Sequence, residues 1–359
     1  MTPSNFLATL RAQIDSALAA CLDEVRGRYS AGSAEPIVEE VIRATLPKGG
    51  RIRPLLCCLG YAAVRGENEA ADPRIVKAAA SLELLHSFAI IHDDVMDGSP
   101  MRRGEPSIHR RLADERLAAG GRDAELHGVS LAILAGDLAL VISDLLFAES
   151  GFPQEVLVQA YEPLSAMRLD AIAGQYLDLT HSGAAVEDVE LTSRIARLKT
   201  GSYSVEGPLL VGATLGGGSA GAKQALQAYG RPLGEAFQLA DDLLGLFGDP
   251  AATGKDAEND IRRGKPTALI ARAMARAEPR ARQLILEIWG HPNTTEGDLA
   301  ALRAAVKGSG AVDEVASEIG RLISEATRAV EDAERHGLPP GPSLLLCELA
   351  QAVLGRARI

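Results

Sequence analysis

The stretch from Ile75 to Ile91, IVKAAASLELLHSFAII, is apolar around almost its whole circumference, and it constrains the fold more than any other feature. A helix that is apolar on one stripe lies on a surface, whereas one that is apolar all round must be enclosed by other elements. Segments near Leu131–Ser143, Val156–Leu179, Leu191–Lys199, Ala222–Phe247, Ala268–Ile288 and Asp313–His336 are Ala/Leu-rich and long enough to be the enclosing helices. Alternating β-branched runs and Asn-Gly or Asp-Gly hairpin signals are nearly absent, so the pattern predicts an all-α protein.

The breaks are rich in Gly and Pro: Pro47–Gly50, Gly98–Pro106, Gly120–Gly121, Gly216–Gly221, Gly248–Gly254 and Gly337–Pro342. None reads as a long interdomain linker, and no internal repeat is visible. Length alone suggests two or three domains at about 150 residues each. Without a linker, the expectation is one all-α domain over residues 1–359, a bundle of roughly ten or more helices. The tandem glycines Gly216–Gly218 lack the GK[ST] and strand context of a phosphate loop and read as an interhelix turn.

Composition narrows the function. Apolar residues make up 47% of the chain, ample for a packed core, and the net charge is −11. An acidic surface disfavours nonspecific binding to nucleic acid or anionic membranes, both of which require Lys and Arg against phosphate. No stretch reaches the roughly 18 uninterrupted apolar residues of a membrane span. The N-terminal residues lack a basic-then-apolar signal pattern. Cys21, Cys57, Cys58 and Cys347 show no metal-ligand spacing, and reduced thiols in a cytoplasmic protein are expected.

The densest chemical signal is the run His92-Asp93-Asp94-Val95-Met96-Asp97-Gly98-Ser99-Pro100-Met101-Arg102-Arg103-Gly104. Asp93 and Asp97 share a helix face at i, i+4, at a C-terminal end marked by Gly98 and Pro100. Carboxylates there repel one another and oppose the helix dipole, so something must compensate them. Two compensations fit. A hard divalent cation is commonly held by one or two carboxylates plus substrate phosphates. Alternatively, Arg102 and Arg103 simply pair with the acids at a solvated helix end.

A second run, Phe237-Gln238-Leu239-Ala240-Asp241-Asp242-Leu243-Leu244-Gly245, again sets paired acids at the end of an apolar helix. Bases follow at Lys255, Arg262, Arg263 and Lys265. Two such helix ends suggest a face-to-face site for a metal–diphosphate.

Here the chain resembles the trans-isoprenyl diphosphate synthases. The pieces occur in family order: Gly49-Gly50-Arg51-Ile52-Arg53-Pro54, Glu83-Leu84-Leu85-His86, the first aspartate run with Arg102-Arg103-Gly104, and Gly136-Asp137. Then come Gly174-Gln175-Tyr176-Leu177-Asp178-Leu179, Lys199-Thr200-Gly201, the second aspartate run, Gly254-Lys255 with Asp260, and Gly264-Lys265-Pro266-Thr267. The resemblance implies a bundle of the isoprenoid synthase type around a deep apolar cavity. It implies head-to-tail transfer of a prenyl group from dimethylallyl, geranyl or farnesyl diphosphate to isopentenyl diphosphate. It also implies about three Mg²⁺ ions per site, and a homodimer.

Roles follow residue by residue. Asp93 and Asp97 would hold two Mg²⁺ and Asp241 a third, with Asp94 and Asp242 in support. Arg102, Lys199 and Lys255 would grip the allylic diphosphate, with Lys265 near it. Arg51, His86 and Arg103 would bind isopentenyl diphosphate. Thr200 and Gln238 would place oxygens near the allylic cation, and Gln175 would reach the site while Tyr176 and Leu177 pack. His86 lies seven residues before Asp93, about 20° away on the same helix face. The other histidines read as structural.

Three positions depart from the family. Gly50 stands where Lys is usual, at a cost of about 1.5–3 kcal/mol in phosphate binding unless Lys48 reaches in. Gly245 replaces the last aspartate of the second run, with Asp249 nearby, and Glu258 replaces a usual glycine. Phe88 and Ala89, the fifth and fourth residues before Asp93, occupy the positions that set product length in the family, and Phe followed by a small residue resembles enzymes that make geranylgeranyl diphosphate (C20). On a regular helix Phe88 is about 140° from Asp93 and Ala89 about 40°, so Phe88 also fits as a core residue. Two other functions share the fold. A class I terpene cyclase would need no isopentenyl diphosphate site, and a regulatory partner subunit would need no activity of its own.

Overall fold

In the computed structural model the described residues are 3–29, 34–46, 49–183, 185–248, 257–335 and 339–356. Lys48, Asp249 and Lys255 lie outside them, as does the side chain of Glu258. Sixteen helices are described: α1 (Pro3–Tyr29), α2 (Glu35–Thr45), α3 (Ile52–Arg65), α4 (Pro73–Met96), α5 (Ile108–Ala118), α6 (Ala124–Ala148), α7 (Gln154–His181), α8 (Val189–Ala196), α9 (Gly207–Leu215), α10 (Ala220–Phe247), α11 (Ala257–Arg262), α12 (Ala268–Arg276), α13 (Pro279–Ile288), α14 (Glu296–Gly308), α15 (Ala311–Arg335) and α16 (Pro340–Arg356). Among the described residues the only strands are β1 (Met101–Arg102) and β2 (Glu105–Pro106). The all-α expectation holds. The chain divides into two compact units, Met1–Ala160 with Gly212–Gly217, and Tyr161–Val211 with Gly218–Ile359.

In the first unit α4 is the core helix, packed by α1, α2, α3 and α6. It starts where its sequence says it should: the Asp72 carboxylate accepts from the Arg74 N–H, and Pro73 sits at the first turn, where its missing N–H costs nothing. Gly98, at φ 55°, ends it in the left-handed conformation that glycine tolerates. Ile75, Leu82 and Leu84 are fully buried along it, each contributing about 1.5–3 kcal/mol of burial. α6 approaches closely because Gly136 has no side chain: a Cβ there would overlap the His92 ring.

Averaged over 18 residues, α4 and α6 are both apolar enough to cross a membrane. Neither is an unbroken apolar run, because isolated polar residues interrupt both. The α4 window is mostly buried in protein, and less than half of the α6 window is.

In the second unit α10 is central, packed by α15, α16 and the segment Arg197–Glu206. That segment is a ten-residue π-helix. It replaces the regular helix that the pattern predicts through Lys199. A Cβ on Gly234 of α10 would lie 2.7 Å from the Gly201 Cα, so a pair of glycines lets the wide helix nest against α10. The predicted helix Ala268–Ile288 is two helices, α12 and α13. Glu278 precedes Pro279, which disfavours helical backbone, and Ala277 and Glu278 are extended at ψ 140° and 152°.

Candidate active site

The first aspartate run lies at the C-terminal end of α4, as its spacing predicts. Asp94 and Asp97 are buried and Asp93 is half-buried. Arg102 reaches back to this cluster. Its Nε donates to Asp94 Oδ1 at 2.9 Å, its Nη2 contacts the same carboxylate, and its Nη2 lies 3.7 Å from Asp93 Oδ2. Burial pushes the Asp94 carboxyl above its usual range; Arg102 opposes this, and Asp93 and Asp97 add to it. So the pairing of acids with arginine does occur: Arg102 meets Asp94 and Asp93 where three carboxyl groups crowd one helix end.

Arg102 and its neighbour diverge because they sit in a two-residue hairpin. Met101 pairs with Pro106 and Arg102 with Glu105. Arg103 (φ 52°) and Gly104 (φ 80°) form the turn between them. Two positive φ values define a type I′ turn, which usually carries Asn-Gly. Arg-Gly breaks that signature, and the hairpin is invisible to a search for it.

Arg103 turns instead toward a second cluster. The Nη2 of Arg103, the Nη1 of Arg51 and the Oε1 of Glu83 all lie 3.9–4.0 Å from where a Cβ on Gly49 would stand. His86 is held neutral there: burial lowers its protonation well below the usual imidazole range, and then Arg53, Arg103, Arg102 and Arg51 lower it further. Together the four arginines raise the positive potential at His86, in a recess that also holds the Glu83 carboxylate, and Arg102 is at the same time the partner of the aspartates.

Arg51 does not have the position expected of a diphosphate ligand. Its side chain is 1% exposed. Its Nε donates to Asp15 at 2.7 Å, and its Nη1 donates to Glu83 at 2.7 Å and to the Thr45 carbonyl at 2.9 Å. Internal carboxylates and a carbonyl have taken the donors a phosphate would use, which makes Arg51 a pin between α1, α3 and α4. Arg53 is half-buried and, after burial, has the largest influence of any guanidinium on His86. In Gly49-Gly50-Arg51-Ile52-Arg53-Pro54 two arginines two residues apart at a helix start cannot share one direction, so only one of them can face the ligand side.

Phe88 packs edge-on against His92, with ring centroids 4.8 Å apart, and Ala89 is half-buried. His92 Nε2 meets the Ile133 carbonyl at 3.0 Å, in line with its structural reading.

In the second unit, Asp242 is fixed on both oxygens. Gln238 Nε2 donates to Oδ1 at 2.8 Å, and the Ala268 N–H donates to Oδ2 at 3.0 Å. Asp241, beside it, is half-buried. Thr200 is half-buried within the π-helix, and the Lys199 ammonium donates to Asp178 Oδ2 at 2.5 Å. Lys265 pairs with Asp260 at 3.2 Å. Gly245 is in open space: a Cβ there would meet nothing within 4 Å.

Among the described residues no three metal-ligating side chains form a ready-made cage. That suits magnesium, which keeps waters and takes one or two protein carboxylates together with phosphate oxygens. The donors at the two acidic helix ends are hard oxygens, the type Mg²⁺ prefers.

Comparison with known proteins agrees with this chemistry. The family model for polyprenyl synthetase matches residues 35–306. The geranylfarnesyl diphosphate synthase of Aeropyrum pernix is 34% identical over 281 residues, 77% of this chain and 81% of the other. The geranylgeranyl diphosphate synthase of Sulfolobus acidocaldarius is 27% identical over 289 residues, 80% of this chain and 81% of the other. The crystal structure of geranylgeranyl pyrophosphate synthase from Corynebacterium glutamicum, complexed with isoprenyl diphosphate and magnesium, superposes with a TM-score of 0.89 at 36% identity, covering 99% of this chain and 100% of that one. The all-α bundle carrying two aspartate-rich helix ends is that of an isoprenoid synthase. The chain belongs to the polyprenyl synthetase family.

Proposed function

We propose that this chain is a magnesium-dependent prenyltransferase that condenses isopentenyl diphosphate head to tail with an allylic diphosphate, giving geranylgeranyl diphosphate. The observation that carries the reading lies in the first unit. Arg53, Arg103, Arg102 and Arg51 raise the positive potential at neutral His86, and one of them, Arg102, also pairs with the crowded aspartate helix end. One half suits a bare diphosphate and the other a metal-bound one.

Arg53, Arg103 and His86 hold isopentenyl diphosphate, with Arg51 fixing the recess from behind. His86, kept neutral, donates a hydrogen bond without adding a charge that would repel its cationic neighbours. Asp93, Asp97 and Asp241 would hold about three magnesium ions on the allylic diphosphate, and Asp94 and Asp242 support them. Magnesium, when bound, neutralises the charge that gathers on the diphosphate as the allylic C–O bond ionises. Arg102, Lys199 and Lys265 stabilise the same charge with preorganised donors, and Lys255 would join them. Thr200 and Gln238 place oxygens near the allylic cation. The alkene of isopentenyl diphosphate attacks that cation, and the departing diphosphate takes the proton the product loses. Phe88 closes the floor of the product cavity, with Ala89 beside it.

We also propose a homodimer built on α6. Leu126, Ile133, Leu134 and Val141 are exposed along it, an apolar face that a second copy would cover. The four cysteines are outside any disulfide, which supports a cytoplasmic location.

The test is an assay of purified protein with Mg²⁺, labelled isopentenyl diphosphate and, separately, dimethylallyl, geranyl and farnesyl diphosphate. Chromatography of the dephosphorylated products should give a C20 alcohol. A hydrocarbon formed from the allylic diphosphate alone would establish a cyclase. Activity only in a mixed complex would establish a partner subunit.

A further inference from the structure

The π-helix Arg197–Glu206 is irregular, yet α7 grips it at three points that lie one helical turn apart. Asp170, Gly174 and Asp178 recur every four residues and share one face of α7. At Asp170, the Ser202 hydroxyl donates to Oδ2 at 2.6 Å. At Gly174, a Cβ would lie 2.7 Å from the Lys199 Cα, so the lysine backbone rests directly on the bare turn. At Asp178, the Lys199 ammonium donates to Oδ2 at 2.5 Å. The order is antiparallel: as the π-helix advances from Lys199 to Ser202, its contacts retreat along α7 from Asp178 to Asp170.

The geometry explains why each residue type is needed. The Lys199 main chain can approach α7 only at a glycine. From there its side chain runs one turn, about 5.4 Å, along α7 and ends at Asp178. The Asp178 side chain is 7% exposed, whereas that of Lys199 is 27% exposed. The carboxylate therefore faces the interior and the lysine remains within reach of solvent. An ammonium carries three hydrogens, of which one goes to Asp178.

We propose that Asp178 is a positioning residue for Lys199: with Gly174 beneath the lysine backbone and Asp170 holding Ser202, it fixes the point at which the ammonium meets a diphosphate oxygen. It does not touch the substrate itself. A flexible four-carbon stem loses much conformational freedom when it orders on a ligand. Here that loss is met on folding, before any ligand arrives. The inference rests on the reading of Lys199 as an allylic diphosphate ligand.

The experiment uses the full chain as wild type, D178N, K199M and the double variant. It measures KM and kcat for both substrates beside thermal melts. K199M should raise KM for the allylic diphosphate. D178N should raise that KM by roughly tenfold, the worth of one charge-assisted hydrogen bond, and leave KM for isopentenyl diphosphate unchanged. In the K199M background D178N should add less than about twofold, because its effect passes through the lysine. D178E, which keeps the charge, should recover part of the loss. An unchanged allylic KM in D178N, or the same fold-change with and without Lys199, overturns the proposal while leaving the role of Lys199 intact. An unchanged allylic KM in K199M overturns both. If D178N melts early, S202A supplies a second variant that leaves Asp178 in place. It should also raise the allylic KM, and no change there overturns the proposal.

Discussion

Arg51 and Glu83 form a buried ion pair at 2.7 Å, with side chains 1% and 6% exposed. Breaking such a pair leaves a charge buried without its partner, at about 3–5 kcal/mol. R51A should therefore lose about 3 kcal/mol or more of unfolding free energy in urea. R53A, at a half-buried site, should melt close to wild type and instead raise KM for isopentenyl diphosphate. The contrast separates scaffold from ligand, and equal melting losses in the two variants would refute it.

Gly50, beside Arg51, is where a cation can be added to the recess. A Cβ there meets nothing within 4 Å, so G50K should fold normally. Its ammonium adds one charge-assisted contact, worth about 1.5 kcal/mol, and KM for isopentenyl diphosphate should fall roughly tenfold. Steady-state kinetics at saturating allylic substrate would show it.

Gly245 offers the matching experiment at the other acidic helix end. G245D meets open space. The gain in helix propensity over glycine and the unfavourable charge at a C-terminal turn nearly cancel, so stability should stay within about 0.5 kcal/mol. The magnesium concentration for half-maximal activity should drop. A magnesium titration that superposes on wild type would show that the introduced carboxylate is out of reach of the metal.

His86 gives stability a pH dependence with a definite sign. Its folded pKa is depressed, so the unfolded chain binds the proton more readily. Stability is full above the unfolded value of about 6.5 and declines as pH falls below it, by at most about 1.4 kcal/mol per pH unit. The decline continues down to the depressed folded value. Urea melts between about pH 7.5 and pH 5 should show a shallower slope in H86Q. Parallel slopes would mean that His86 is solvated.

The sequence made the long helices legible because their apolar periodicity is set by burial. α4 was legible from its apolar run Ile75–Ile91 and from Gly98 beyond Asp97, and its start at Pro73 lies two residues before that run. The aspartate and lysine motifs were legible as chemistry. What remained hidden was direction. Nothing in Gly-Arg-Ile-Arg-Pro says that Arg51 adopts φ 50° and turns inward to Asp15, thirty-six residues away. The packing of the π-helix was hidden for a related reason: the glycines on α7 and α10 that let it approach closely are distant in sequence.

The turn at Arg103-Gly104 contains no spare residue. Adjacent arginines leave it toward different neighbours, one to the Asp94 carboxylate and the other to the His86 recess, only because both turn positions hold positive φ. Both the length of this loop and its two arginines matter: one residue more or fewer would change which guanidinium meets the acids. An insertion or deletion here would therefore disturb both anion sites at once, whereas a substitution of either arginine would disturb mainly one.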